Sequence, residues 1–73
     1  MKLNIEVNKV EGVLVRVLGL VSRRGFSVTS FSAKTTGSFM NLSLEVDSER
    51  PVSLLICQLE KLFNVISVSQ VST

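Results

Sequence analysis

The chain has 73 residues and a mass of 8.0 kDa, the length of one domain that buries only about 60% of its unfolded surface. Hydrophobic residues make up 45% and charged residues 19%, which excludes a disordered chain and predicts that some apolar surface meets another chain. The net charge is +2, and the charged residues do not form blocks of one sign. Because the chain has no His and a single Cys, it cannot contain a Ser–His or Cys–His nucleophile, a four-ligand zinc site or an internal disulfide.

Residues 2–8 alternate between apolar and polar side chains, with Leu3, Ile5 and Val7 on one face, which predicts a strand with one buried side. Met1 leads directly into this strand, so no signal peptide is predicted, and no apolar run approaches the ~20 residues needed to cross a bilayer. Together with the lone thiol of Cys57, this favours a cytoplasmic protein.

From Val13 the apolar period changes to that of an amphipathic helix of about three turns. Gly25 is the expected stop, because cationic side chains suit the last turn and glycine suits the residue that follows a helix. The stripe that should face the core consists of Val13, Leu14, Val17, Leu18, Leu20 and Val21.

Residues 26–33 are rich in β-branched and aromatic side chains, which predicts a second strand. Phe31 is out of step with Phe26 and Val28, and a bulge near residues 29–30 would return it to the core. Residues 34–38 have turn chemistry, and residues 40–47 alternate as a third strand.

Asp47 or Ser48 is the expected cap of a second helix, whose first turn tolerates Pro51. Asn64 can end this helix in a left-handed conformation, and residues 65–71 form a last strand. The second apolar stripe consists of Val52, Leu55, Ile56, Leu59, Leu62 and Phe63.

The order βαββαβ predicts an α+β, ferredoxin-like sandwich: a four-stranded antiparallel sheet with both helices on one face. Its second and fourth strands lie at the edges. Residues 25–33 and 62–73 carry no charge, although proteins usually protect sheet edges with charged side chains. We therefore expect at least one edge to pair with another chain, as in a homodimer.

No catalytic residue is predicted. Glu6, Glu45 and Asp47 are expected to be solvated, and Cys57 lacks a cationic neighbour that would activate its thiol. Residues 24–31 loosely imitate an RNA-recognition signature, but they lie on the second strand rather than the third. Phe26 and Phe31 are therefore predicted to belong to the core.

The entrance to the first helix, residues 9–12, offers free N–H groups that attract carboxylates. Gly12 would let a ligand approach the backbone closely, although a glycine at this position also has a plain capping explanation.

Residues 12–20, 23–28, 30–31 and 52–62 together resemble an ACT domain, and closely the small, regulatory subunits of acetolactate synthase (acetohydroxyacid synthase). The resemblance implies one ACT domain over residues 1–73, as in the short isozyme 2 type. It implies a non-catalytic protein that binds, activates and stabilises the large catalytic subunit in the biosynthesis of valine, leucine and isoleucine. The chain itself would hold no cofactor or metal; thiamine diphosphate, magnesium and FAD would belong to the partner.

The resemblance also suggests an effector site between two ACT units. Valine-sensitive relatives place an Asn where this chain has Lys9 and another where it has Ser27, so we expect weak or absent valine feedback. The residues matching the effector site are Lys9, Val10, Glu11, Gly12, Val13, Ser27 and Val28.

The outer side of the first helix is the candidate surface for the large subunit, because apolar and Arg side chains there are predicted to point outward. Its residues are Val15, Arg16, Gly19 and Arg23. Two alternatives stay open: a free-standing ACT-domain sensor of a small amino acid, and an RNA-binding βαββαβ module.

Overall fold

Six elements follow one another in the computed structural model, which describes residues 1–71. They are β1 (Lys2–Asn8), α1 (Val13–Arg23), β2 (Ser27–Thr36), β3 (Phe39–Asp47), α2 (Val52–Glu60) and β4 (Val65–Val71). The predicted βαββαβ order is confirmed. Residues 72–73 of the predicted domain lie outside the described residues.

The four strands form one antiparallel sheet in the order β2-β3-β1-β4, so β2 and β4 are the edges, as predicted. Leu3 lies opposite Leu44 and Ile5 opposite Leu42, and directly opposed residues share a face of the sheet. Both helices cover this face and close a single core, which confirms the ferredoxin-like fold class. The buried helix residues are Val13, Val17, Leu20, Val21, Leu55 and Leu59.

The other face of the sheet carries polar side chains. Asn4 lies between Ser43 and Ser69, while Glu6 is opposite Asn41 on one side and Ser67 on the other. The strict alternation of β1 and β3 produces this separation, because successive side chains of a strand point to opposite faces.

A bulge interrupts β2, as the sequence predicts. The register with β3 shifts between Val28 and Ser30, which leaves Thr29 as the extra residue, and the Thr29 hydroxyl donates to the Glu45 carbonyl at 3.1 Å. Phe31 consequently faces the helix side, opposite Leu44. The prediction that it belongs to the core is wrong, because the helices do not cover this edge strand and Phe31 remains 39% exposed.

The turn between β2 and β3 is shorter than predicted. β2 continues to Thr36, which pairs with Phe39 and leaves a two-residue connection. Gly37 takes the first of those two positions with φ 62°, which fits a hairpin turn of the II′ type.

Gly25 ends α1, as the sequence predicts, and its φ of 85° is left-handed. Its N–H donates to the Ser22 carbonyl, and the Phe26 N–H reaches back to the Val21 carbonyl, each at 3.1 Å. This pair of bonds is the Schellman arrangement. It turns the chain inward, so Phe26 is buried in the core, as predicted.

Neither Asp47 nor Ser48 caps α2, which corrects the prediction. Pro51 is the residue before the helix, and no side chain caps it. The Ser48 hydroxyl instead accepts from the Arg50 N–H at 3.0 Å and donates to the Gly25 carbonyl at 3.1 Å. The loop before α2 is thereby fastened to the end of α1.

α2 also ends earlier than its apolar stripe suggests. Its last residue is Glu60, so Phe63 lies beyond the helix and is 80% exposed rather than packed on the core. Asn64 does adopt the predicted left-handed conformation, with φ 76°, immediately before β4. Over residues 1–71, neither helix has both the length and the apolar character needed to span a membrane.

Candidate functional site

The loop between β1 and α1 is held by main-chain hydrogen bonds at one end of the sheet. The Lys9 N–H donates to the Ser38 carbonyl at 2.8 Å, in the turn between β2 and β3. Gly12 precedes α1 with φ 83°, and its carbonyl accepts the Arg16 N–H at 3.1 Å. An added Cβ at Gly12 would meet no atom within 4 Å, so the backbone here is open to a close approach.

The residues predicted to hold an effector occupy two separate places. Lys9, Val10, Glu11 and Gly12 are exposed in this loop, whereas the Val13 side chain is buried in the core. Residues 9–12 are therefore available to a ligand, whereas Val13 can offer only its main chain.

Ser27 and Val28 lie at the opposite end of the sheet. Ser27 pairs with Asp47, the last residue of β3, while the Lys9 loop adjoins Phe39, the first. These two ends of β3 are about 26 Å apart at the usual strand rise. One chain alone does not bring the two parts of the predicted site together.

The four residues proposed as the partner surface share the outer side of α1. Val15 is 75% exposed, and Arg16 and Arg23 are also exposed. Gly19 is the next residue along this side, where an added Cβ would meet nothing within 4 Å. The Nε of Arg23 donates to the Gly19 carbonyl at 3.4 Å.

The other groups singled out for chemistry are dispersed. Cys57 is exposed on α2, and Glu6 and Glu45 lie on the polar face of the sheet, on different strands. Within residues 1–71, no three acidic or thiol side chains come together in a way that could hold a metal ion.

The geometry does not favour an RNA-binding face. Such a module stacks bases on aromatic side chains of its central strands. Here β1 has no aromatic residue and β3 has only Phe39, at its first position. Phe26 is buried, and Phe31 faces the helix side of an edge strand.

One feature was missed by the sequence analysis. A cavity of about 170 Å³ lies between the end of α1 and the first half of α2. Its lining comes from two segments that are distant in the chain, so no local motif reveals it. The lining residues are Arg24, Phe26, Arg50, Leu54, Leu55 and Gln58.

The family follows from comparison with known proteins. The model of the ACT domain family matches residues 9–68. The chain belongs to the ACT domain family. The match includes the loop before α1, both helices and most of the sheet.

Two relatives are named as small subunits of one enzyme. The chain is 42% identical over 65 residues to the probable acetolactate synthase small subunit of Archaeoglobus fulgidus, covering 84% of this chain and 40% of that protein. It is 38% identical over 69 residues to the acetolactate synthase small subunit of Mycobacterium leprae, covering 90% of this chain and 41% of that protein. The chain thus spans about two fifths of the length of these relatives.

Solved structures agree with the fold. The acetolactate synthase small subunit of Thermotoga maritima superposes with a TM-score of 0.81 at 25% identity, over 93% of this chain and 44% of that one. The ACT domain of the Chlorobium tepidum GTP pyrophosphokinase has a TM-score of 0.84 at 15% identity, over 99% of this chain and 84% of that one, and supports the fold alone. The predicted resemblance to an ACT domain and to the small subunits of acetolactate synthase is confirmed.

Proposed function

We propose that this ACT domain binds the catalytic subunit of acetolactate synthase and raises its activity and stability in branched-chain amino acid biosynthesis. The observation that carries the proposal is the 42% identity over 84% of this chain to a protein named as that enzyme's small subunit. In this proposal thiamine diphosphate, magnesium and FAD are held by the catalytic subunit. A cytoplasmic location is part of the same proposal and rests on the single thiol.

The outer side of α1 is the surface that we assign to the catalytic subunit. A valine that is 75% exposed in the first turn of a helix gains little from the fold of its own chain. Gly19 costs the helix about 1 kcal/mol relative to alanine. A partner packed over this side of α1 would bury Val15, and it could approach the helix backbone closely at Gly19, which has no side chain.

We assign the contact between two copies of this chain to the β2 edge. All ten residues of β2 are exposed, and the main-chain groups on its outer side have no neighbouring strand. Val28 and Phe31 also expose apolar surface on the side that the helices cover elsewhere. A second copy paired along this edge would bury both side chains and extend the sheet.

An effector that uses both parts of the predicted site must lie between two chains. Lys9 and Ser27 are separated by the length of β3 in one chain, so a ligand would take one part from each copy. Lys and Ser offer no amide at these positions, and the proposal therefore keeps valine feedback weak or absent.

Co-expression with an acetolactate synthase large subunit from the same organism tests the function. We expect the two proteins to purify together and the chain to raise acetolactate synthase activity. The double variant Val15→Glu with Arg16→Glu should lose both effects, because two carboxylates then replace the apolar and basic contacts. The matched control is Phe63→Glu with Lys61→Glu, which makes the same change of charge and polarity at exposed positions elsewhere.

The outcomes separate the alternatives. Unchanged binding by the α1 variant would show that another surface meets the large subunit. No binding by the unaltered chain would refute the function. Melting that depends on an amino acid would then favour a free-standing sensor, and salt-sensitive binding to single-stranded RNA would favour a nucleic-acid module.

A further inference from the structure

The cavity between the helices is closed on one side by the core and open on the other to solvent. It lies where α1 ends and α2 begins, the end of the sheet opposite the Lys9 loop. Its volume of about 170 Å³ equals that of about five or six water molecules. A molecule of about five carbon atoms fits this space.

Two guanidinium groups line this cavity. The Nη2 of Arg24 donates to Oε1 of Gln58 at 3.2 Å. Because this acceptor is neutral, the bond leaves the charge of the guanidinium uncompensated. A guanidinium has five N–H donors, so this bond leaves most of them available.

Arg50 is positioned by its surroundings. The main-chain N–H of Arg50 donates to the Ser48 hydroxyl at 3.0 Å, and the same hydroxyl donates to the Gly25 carbonyl. Its side chain crosses Gly25 so closely that an added Cβ there would lie 2.9 Å from Nε. Gly25 therefore provides the space in which the second guanidinium reaches the cavity.

The remaining lining is mostly apolar. Leu54, which is 60% exposed, stands at the rim and offers most of the accessible apolar surface, whereas the floor below it consists of Phe26, which is 5% exposed, and the fully buried Leu55. A ligand that complements this lining has one negative group, which pairs with the two arginines, and a short hydrocarbon part, which contacts the apolar side chains. Arginine pairs carboxylates through charge-assisted hydrogen bonds in a fixed geometry.

We propose that this cavity, the arginine cavity, binds a small monocarboxylate with a short branched alkyl chain. Asp47 and Glu49 line the adjoining cleft on the other side of Arg50, and their charge disfavours a dianion such as phosphate. The two guanidiniums likewise disfavour a ligand that carries an ammonium group. The proposal goes beyond the function proposed above, because it concerns this chain alone.

Titration calorimetry of the full chain with 3-methylbutanoate tests this site. Valine is the matched probe, since it differs from 3-methylbutanoate only by an ammonium group. We expect saturable binding of one 3-methylbutanoate per chain, weakened by added salt. Valine, the neutral 3-methylbutanamide and inorganic phosphate should each bind at least about tenfold more weakly.

Variants locate the binding. Arg24→Gln and Arg50→Gln should each weaken 3-methylbutanoate at least about tenfold, whereas Lys61→Gln, an equal loss of charge near the far end of α2, should match the unaltered chain. Circular dichroism checks that each variant is folded. If an arginine variant fails to fold, Leu54→Ala replaces it, because removing the apolar rim should weaken binding several-fold without changing charge.

Three results would overturn the proposal. The first is no saturable binding of 3-methylbutanoate up to millimolar concentrations, and the second is equal binding by the folded variants. The third is equal binding of phosphate or valine, which would refute the ligand class. None of these results bears on the proposed binding and activation of the catalytic subunit, because no large subunit is present.

Discussion

The main-chain N–H of Lys9 donates to the carbonyl oxygen of Ser38 at 2.8 Å. This bond joins the loop before α1 to the turn between β2 and β3, and so fixes Gly12 at that end of the sheet. Ser27 is paired with Asp47 at the other end. Any small ligand that contacts both Gly12 and Ser27 must therefore do so across two chains.

Valine should bind weakly or not at all. The positions at which an amide would hold the amino acid are Lys9 and Ser27, and neither side chain is an amide. Calorimetry of the unaltered chain should show no micromolar affinity. The double variant Lys9→Asn with Ser27→Asn should bind valine at least about tenfold more tightly, since each restored hydrogen bond contributes about 1 kcal/mol. A micromolar dissociation constant for the unaltered chain would contradict this expectation.

The chain should form a dimer through β2. Phe31→Lys should produce monomers in sedimentation equilibrium at high micromolar concentration, because it places a charge in the proposed contact. The control is Ile66→Lys, an equivalent change at an exposed position of β4, which should leave the dimer intact. A monomeric unaltered chain would refute the contact, and dissociation by the β4 variant alone would move it to the other edge.

Two glycines should respond to alanine with opposite signs. Gly25→Ala should lower the free energy of unfolding by about 1–3 kcal/mol, because φ is 85° there and the new Cβ meets Arg50. Gly19→Ala should raise it by about 0.5–1 kcal/mol, because the site is helical and open. Urea denaturation followed by circular dichroism measures both. Equal effects would show that backbone conformation does not distinguish these positions.

The core should depend on buried leucines from both the sheet and α2. Leu44→Ala and Leu55→Ala each remove a fully buried side chain and should cost about 2–5 kcal/mol, a large share of the stability of a domain this small. Phe63→Ala, at an exposed position, should change stability by less than about 0.5 kcal/mol in the same urea experiment. A comparable loss at Phe63 would mean that this side chain is buried in solution.

The alternation in β1 and β3 was sufficient to predict the central strands and their faces. Each residue there has a neighbouring strand on both sides, so the burial of Leu3 or Leu44 follows from its position in the pattern alone. Gly25 and Asn64 were equally predictable, because few residues tolerate a left-handed backbone.

Burial on the edge strand β2 and beyond the end of α2 was not predictable in the same way. Phe31 points to the correct side of β2, yet its exposure depends on how far the helices extend over the edge. Phe63 continues the apolar period of α2, but the helix ends at Glu60. The arginine cavity depends on the contact of Arg50 with Gly25, which lie 25 positions apart, and sequence periodicity carries no information about such pairs.

The bulge at Thr29 changes which residues of β2 face the helices. Every side chain after it is displaced by one position relative to the pattern before it, so Phe31 and Ala33 share the helix side with Val28. If Thr29 instead took a regular place in the ladder, the two sides of the strand would be exchanged from Ser30 onward and Lys34 would lie among apolar neighbours. The orientation of most of this edge thus depends on one residue being left out of the ladder.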